Sequence, residues 1–134
     1  MSLHQLIYMS ELTTDESVLA SIHSHAVRNN TARTVTGMLL FARGKFLQVL
    51  EGERKDVHLT FERIKEDPRH DHVIILADRP ILERNFSHWN MGFRHLKEDE
   101  LVEDHSANEF FSQNAEEARK NPQPALPILQ KYAK

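Results

Sequence analysis

The stretch from Gly44 to Gly52 constrains the fold more than any other part of the chain. It reads Gly-Lys-Phe-Leu-Gln-Val-Leu-Glu-Gly, a run of strand length between two glycines. Because side chains alternate along a strand, apolar residues occupy both of its faces, the pattern of a strand covered on both sides. Gln48 is the exception, since a buried amide without hydrogen-bond partners costs about 1–3 kcal/mol. The rest of the sequence must therefore supply partners for Gln48.

Length and composition exclude several classes of protein. The chain has 134 residues, enough for one domain, and a net charge of −3 that argues against nucleic acid as a partner. Its apolar runs are shorter than the ~20 residues that span a bilayer. The amino terminus lacks the basic and apolar regions of a signal peptide, and the absence of cysteine excludes disulfides and thiolate metal sites. We therefore expect a cytoplasmic protein without a membrane segment.

The spacing of the apolar residues predicts the element order β-α-β-β-α-β-β. Five stretches are predicted to be strands: residues 3–10, 35–41, 46–50, 73–77 and the segment around Trp89, Met91 and Phe93. The first helix is predicted to open at a capping box of Thr13 and Glu16 and to end at residues 28–30. The second is predicted over residues 53–67.

This order predicts a ferredoxin-like α+β fold, a five-stranded mixed sheet with both helices on one face. The opposite face would be bare, and we expect short C-terminal helices to cover it or lie beside it. Phe110 and Phe111 indicate one such helix, and the apolar run at residues 125–129 indicates another. The chain is thus predicted to divide into residues 1–96 and a helical extension of residues 97–134.

Several polar residues are predicted to meet on the face that the two helices cover. Tyr8 on the first strand and Gln48 on the third strand would stand side by side, with Asn30 bordering the same space. The end of the second helix adds four more polar residues: Arg63, Asp67, Arg69 and His70. Amides both donate and accept, as the edge of an imide-like ring does, and a guanidinium can hold a phosphate. The set suits a flat polar heterocycle with an anionic tail.

Each of these residues also has a purely structural interpretation. A tyrosine on a strand is usually part of the core, and an asparagine pair commonly ends a helix. A helical arginine usually faces solvent, and a Trp or Met on a strand usually fills the core. Gln48 alone, flanked by apolar neighbours, favours a specific role over a structural one.

The nine histidines raise the question of a metal site. His23 and His25 lie on a predicted helix, where residues two apart point in different directions. His70 and His72 would converge on a strand, but no third ligand follows at a suitable spacing. From this spacing we predict no metal site.

Together these residues resemble the BLUF family, the flavin-binding blue-light sensors, from about Leu3 to Arg94. The resemblance rests on these segments: 6–10, Asn29-Asn30, 35–40, 44–52, Arg63-Ile64, 67–70, Arg84-Asn85-Phe86 and Trp89-Asn90-Met91. None of the segments is decisive alone, but their order and spacing are specific. Residues 1–96 would then be the flavin-binding photosensor domain.

The resemblance implies a bound FAD between the two helices, with FMN or riboflavin as alternatives. Tyr8 would be the photoactive tyrosine, Gln48 the switching glutamine and Asn30 the residue that fixes the ring. The other implied cofactor contacts are Asn29, Arg63, Asp67, Arg69 and His70. Trp89 and Met91 match the last-strand residues through which the signal is thought to leave.

The implied function is a light-driven switch and not an enzyme. Blue light would drive electron and proton transfer from Tyr8 to the flavin. It would leave Gln48 rearranged, by rotation or tautomerisation, in a red-shifted state. About 40 residues follow the matched region, too few for a cyclase or phosphodiesterase domain. The chain therefore resembles short stand-alone members, which act through a partner protein, here unidentified, and self-associate as dimers or larger oligomers.

Two alternatives on the same fold stay open. A small acylphosphatase-like hydrolase would need a glycine-rich phosphate loop after the first strand, where residues 9–13 contain no glycine. A colourless ferredoxin-like interaction module would account for the fold but not for Tyr8, Asn30 and Gln48 together.

Overall fold

The structure is a computed structural model that describes residues 2–87 and 91–133. Within these residues the strands are β1 (Leu3–Leu12), β2 (Thr36–Ala42), β3 (Lys45–Glu53), β4 (His70–Ile81) and β5 (Gly92–His95). The α-helices are α1 (Leu19–Arg33), α2 (Arg54–Glu66), α3 (Glu98–Glu103), α4 (His105–Phe111), α5 (Ala115–Lys120) and α6 (Ala125–Tyr132). No helix in the described part of the chain is long and apolar enough to cross a membrane.

The strands form one mixed sheet in the order β4-β1-β3-β2-β5. The three pairings among β4, β1, β3 and β2 are antiparallel, and β5 runs parallel to β2. This arrangement confirms the predicted ferredoxin-like fold. It also makes β3 the central strand, so Gln48 lies where both faces of the sheet are covered.

Two separate cores lie on the two faces of the sheet. On one face, α1 and α2 pack on the strands through buried residues that include Tyr8, Phe46, Leu50, Leu19, Ile22 and Phe61. On the other face, α3 to α6 pack through a second set that includes Leu47, Val49, Leu101, Phe110, Phe111 and Leu129. The predicted alternation along β3 and the cover supplied by the C-terminal helices are both confirmed.

Both predicted ends of the first helix are wrong. The Thr13 hydroxyl donates to the carbonyl of Pro68 at 2.8 Å, so it does not cap the helix. Asp15 accepts the backbone N–H of Ser17 instead and opens a short 3₁₀ turn before α1. At the other end, α1 continues past Asn30, and Thr34 adopts the left-handed conformation with φ of 53°. Tertiary contacts thus override the local capping signals.

The last two strands also differ from the prediction. β4 is longer than residues 73–77, because most of its length pairs with β1, and it tolerates Pro80 as an edge strand. β5 begins at Gly92, so Met91 precedes the strand, and the predicted position of Trp89 lies outside the described residues.

The buried carboxylate of Glu51 ties the end of β3 to the segment that follows β4. It accepts hydrogen bonds from the Gln5 amide at 2.8 Å and from the backbone N–H groups of Asn85 at 2.7 Å and Phe86 at 3.0 Å. The Asn85 amide adds a fourth bond at 2.9 Å. A charge at this depth is tolerated because several donors satisfy it. No local sequence pattern indicates this role for Glu51.

Gly37 allows β2 to approach β3 closely. A Cβ atom at Gly37 would overlap the carbonyl oxygen of Val49 and lie 3.2 Å from the Met91 methyl group. A Cβ atom at Gly52 would lie 3.3 Å from the Thr34 carbonyl oxygen and 3.5 Å from two carbon atoms of Val35. Position 37 is therefore the less tolerant of the two to added volume.

We expect Gly37→Ala to lower the free energy of unfolding by about 1–3 kcal/mol or more, because the new methyl group must push β2 away from β3. Urea denaturation of the variant beside Gly52→Ala tests this, with a smaller loss expected for Gly52→Ala. Wild-type stability of Gly37→Ala would contradict the close approach of the two strands.

Candidate functional site

A cleft opens between α1 and α2 above the sheet, with about 580 Å³ of space between protein atoms that includes open solvent. Its apolar lining is Ile22, Ala26, Leu39 and Ile64. Its polar lining is His25, Asn29, Asn30, Gln48, Thr60, Arg63, Asp67, Arg69 and His70. Every predicted cofactor contact except Tyr8 thus borders one cleft.

Gln48 finds a hydrogen-bond partner at each end of its amide. Tyr8 lies directly opposite Gln48 in the β1–β3 pairing, and its hydroxyl donates to the Gln48 Oε1 atom. The Gln48 Nε2 atom donates to the sulfur of Met91 at 3.2 Å. Gln48 is buried yet lines the cleft, so the amide joins Tyr8, Met91 and the cleft.

Tyr8 does not line the cleft; it lies fully buried behind Gln48. Its ring packs near Phe61, with centroids 5.5 Å apart, and near His70, with centroids 6.3 Å apart. Burial raises the pKa of Tyr8 far above its usual value, and the charge of Asp67 raises it further. The phenol therefore keeps its proton and donates a hydrogen bond to Gln48.

An ion pair borders the cleft near the end of α2. Arg69 holds Asp67 through Nη2–Oδ2 and Nε–Oδ1 contacts of 2.7 and 3.0 Å. Hydrogen bonding from Arg69 is the main cause that lowers the pKa of Asp67. Arg69 also reaches the Ser21 hydroxyl of α1 at 3.3 Å, so the pair bridges the two helices.

His70 supplies a neutral imidazole to the cleft lining. Its Nδ1 atom lies 2.9 Å from the Ser10 hydroxyl, and its ring packs on Phe46 with centroids 4.6 Å apart. Burial lowers the pKa of His70 to about 4. At neutral pH the ring is therefore uncharged.

The two asparagines lie in the last turns of α1 and not after its end. Asn30 is buried and Asn29 is half-buried, and both line the cleft. The Asn30 carbonyl accepts the backbone N–H of Val35 at 2.9 Å, which fixes the turn into β2. The extension of α1 to Arg33 therefore keeps both amides beside Gln48.

Met91 connects Gln48 to α1 through a residue that the sequence did not point to. The Met91 side chain is buried, and its carbonyl accepts a hydrogen bond from His23 Nε2 at 2.8 Å. The His23 ring stacks on Phe93 of β5 with centroids 5.3 Å apart. In the sequence, His23 stands out only as a possible metal ligand beside His25. No local pattern pairs it with residues 91 and 93.

Comparison with known proteins identifies the family. Residues 3–92 match the family model described as BLUF, sensors of blue-light using FAD. The chain belongs to the BLUF family. Within this family it is similar to the photoactivated adenylate cyclase subunit beta of Euglena longa, with 33% identity over 99 residues. That match covers 71% of the chain but 12% of the cyclase subunit, so the chain spans a small part of this relative.

Two solved structures show the same fold. A bacterial light-regulated adenylyl cyclase superposes with a TM-score of 0.75 at 27% identity, over 97% of this chain and 36% of that one. The photo-activated state of BlsA superposes with a TM-score of 0.76 at 25% identity, over 96% of this chain and 94% of BlsA. Both matches extend the similarity beyond residue 92, into the C-terminal helices.

The residues of the cleft fit the flavin that this family binds. Asn29, Asn30 and Gln48 offer amides that donate and accept, as the polar edge of a flavin ring requires. Ile22 and Ile64 supply aliphatic surface from the two helices for the faces of a flat ring. The donor set and the two-sided shape both suit a BLUF chromophore.

We expect acid to destabilise the protein through His70. The unfolded chain takes up a proton near pH 6.5, whereas native His70 stays neutral down to about pH 4. The unfolded state therefore binds more protons in this window, and the free energy of unfolding falls as the pH falls through it, by about 3 kcal/mol at most.

The variant His70→Gln, which can still bond Ser10, should lose less stability between pH 7 and pH 4.5. Urea denaturation at both pH values, with matched flavin content, measures the difference. His105→Gln is the control for replacing a histidine, because the His105 side chain is exposed at the surface. A His70→Gln protein with the full wild-type pH dependence would contradict the buried neutral histidine.

Proposed function

We propose that the protein is a blue-light photoreceptor that binds an oxidised flavin, FAD by preference, non-covalently between α1 and α2. The observation that carries the proposal is the hydrogen-bond chain from Tyr8 through Gln48 to Met91 at the inner end of the cleft. A buried tyrosine lies behind a glutamine, and the glutamine borders a slot that suits a flat ring. This arrangement fits photochemistry on a flavin better than it fits flavin binding alone. FMN or riboflavin would fill the inner part of the same slot.

The two helices are proposed to contact different parts of the flavin. Asn29 and Asn30 of α1 and Gln48 of β3 are assigned to the polar edge of the ring. Arg63 of α2 and Arg69 are assigned to the anionic tail, because both guanidinium groups border the cleft. Asp67 orients Arg69, and neutral His70 closes the slot without adding charge.

A bound flavin supplies the absorption of blue light and, once excited, an acceptor for one electron. Tyr8 gives up that electron, and its hydroxyl proton leaves along the hydrogen bond to Gln48 Oε1. A buried neutral phenol loses electron and proton together, since the isolated tyrosyl cation or tyrosinate would be costly at this depth. When both return to Tyr8, there is no net chemistry.

The change that persists after illumination is proposed to lie in the hydrogen bonding of Gln48. In the structure its carbonyl faces Tyr8 and its amino group faces the Met91 sulfur, and we assign this arrangement to the protein before illumination. Rotation or tautomerisation would exchange donor and acceptor at these ends, and the rearranged amide would donate to the chromophore. A stronger hydrogen bond at the ring edge lowers the excitation energy, which shifts the absorption to the red.

The signal is proposed to leave through Met91 and the neighbouring Trp89 into β5 and the C-terminal extension of residues 97–134. Support comes from contacts of β5 with that extension, since Arg94 lies 5.3 Å from the centre of the Tyr132 ring. Tyr132 in turn donates to Asp104 at 2.5 Å. We propose that the extension presents the signal to a partner protein or to further copies of the chain in an oligomer.

On this proposal the chain is a reversible switch and not a turnover enzyme. Purification tests it directly: the flavin-loaded protein should be yellow, shift its absorption to the red under blue light and recover in darkness. A protein that stays colourless after reconstitution with FAD, FMN or riboflavin would refute the photoreceptor function.

Tyr8→Phe should bind flavin normally and lose the red-shifted state, because phenylalanine offers neither the hydroxyl proton nor an accessible electron. Light-minus-dark absorption spectroscopy measures the loss. The matched control is Tyr132→Phe in the extension, which should keep the red shift. A normal red shift in Tyr8→Phe would remove Tyr8 from the electron-donor role.

Met91→Leu should keep flavin and the red shift but change the rate of dark recovery several-fold, because leucine removes the sulfur that accepts from Gln48. Single-exponential recovery after a blue pulse provides the rate. Met9→Leu is the control, since Met9 is buried in the core on the opposite face of the sheet. Equal recovery rates in wild type and Met91→Leu would show that the sulfur contact has no role in the cycle.

A further inference from the structure

Two histidines and an aspartate from three different elements meet outside the flavin cleft. His4 is near the start of β1, His58 is in the first half of α2 and Asp78 is in β4. The Asp78 Oδ1 atom accepts from His4 Nε2 and from His58 Nε2, the latter at 3.0 Å. The two imidazole rings stand edge to face with centroids 5.2 Å apart.

The three side chains present the ligand atoms of a metal site. One nitrogen of each histidine and one carboxylate oxygen lie within 4.8 Å of one another. Two imidazoles and one carboxylate are a common set for a three-ligand zinc site with a fourth position left for water. From this geometry we propose that His4, His58 and Asp78 bind one divalent transition-metal ion, with Zn²⁺ as the best fit.

Burial and exposure at the cluster suit such a site. His4 is buried, whereas the side chains of His58 and Asp78 keep 37% and 34% of their surface exposed, which leaves an entry path. The Asp78 Oδ1 atom faces the Nε2 atoms of both histidines, so the three donor atoms already point toward one another.

The ion would clamp three elements that also build the photosensor. β1 carries Tyr8 and α2 carries Arg63, whereas none of the three ligands lines the cleft. The sequence predicts no metal site because its only closely spaced histidine pairs are His23 with His25 and His70 with His72. Positions 4, 58 and 78 are joined by strand pairing and helix packing, which no spacing rule reveals.

Zinc titration of the full-length, flavin-loaded protein tests the proposal. The protein should carry no polyhistidine tag and be treated with a chelator before titration with ZnCl₂ in a calorimeter. We expect one ion per chain with micromolar or tighter affinity, and a higher melting temperature in the presence of Zn²⁺. Co²⁺ in place of Zn²⁺ should give the visible absorption of a low-symmetry four-coordinate site.

Variants assign the binding to the cluster. Asp78→Asn and His58→Gln should each weaken zinc binding at least tenfold and abolish the rise in melting temperature. His58 is partly exposed, so His58→Gln keeps the test valid if Asp78→Asn fails to fold. His105→Gln is the control, since exposed His105 is paired with Glu109 elsewhere on the surface. No zinc uptake at 100 µM, or uptake unchanged in His58→Gln, would overturn the proposal.

Discussion

The amide of Gln48 sets the main constraint on this structure, because its two hydrogen-bonding ends must be satisfied inside a nearly dry interior. Leaving either end without a partner would cost about 1–3 kcal/mol. Tyr8 satisfies the carbonyl end because the β1–β3 register puts it directly opposite. Met91 satisfies the amino end because Gly37 leaves room for its methyl group beside β3. The proposed switch would therefore depend on strand register and on one missing Cβ atom as much as on the residues that react.

The sheet separates the face proposed for the photochemistry from the face proposed for output. Gln48 points into the layer of α1 and α2, whereas its neighbours Leu47 and Val49 point into the layer of α3 to α6. On the proposed mechanism, a rearrangement at Gln48 would reach the second layer through Met91 and β5, which pairs with β2 and precedes the C-terminal helices. The hydrogen bond from His23 to the Met91 carbonyl connects α1 to the same contact between Gln48 and Met91.

The fold was largely predictable from sequence because its signals are periodic. The alternation of side chains along β3, the apolar residues spaced along one face of α2 and the order of the elements all follow from which residues avoid water. Helix ends were less predictable: Thr13 bonds to Pro68 and not to its own helix, and Asn30 lies within α1. Local capping preferences are worth about 1 kcal/mol, so tertiary contacts override them.

Most residues of the cleft were predictable because the family pattern fixes them at known places along the chain. The pairing of Tyr8 with Gln48 was also predictable, but most other contacts between distant positions were not. The hydrogen bonds from His23 to Met91 and from Gln5 and Asn85 to Glu51, and the meeting of His4, His58 and Asp78, depend on how elements pack. A single sequence carries no local trace of such partners.

Light is proposed to rearrange the Gln48 amide, and infrared spectroscopy can observe that amide itself. Light-minus-dark spectra of protein with isotope-labelled glutamine side chains, recorded beside Gln48→Leu, separate glutamine bands from flavin bands. We expect a labelled glutamine carbonyl band that changes on illumination, together with a lowered flavin carbonyl frequency, and both absent in Gln48→Leu. A flavin carbonyl shift of wild-type size in Gln48→Leu would rule out the rearrangement of Gln48 as its cause.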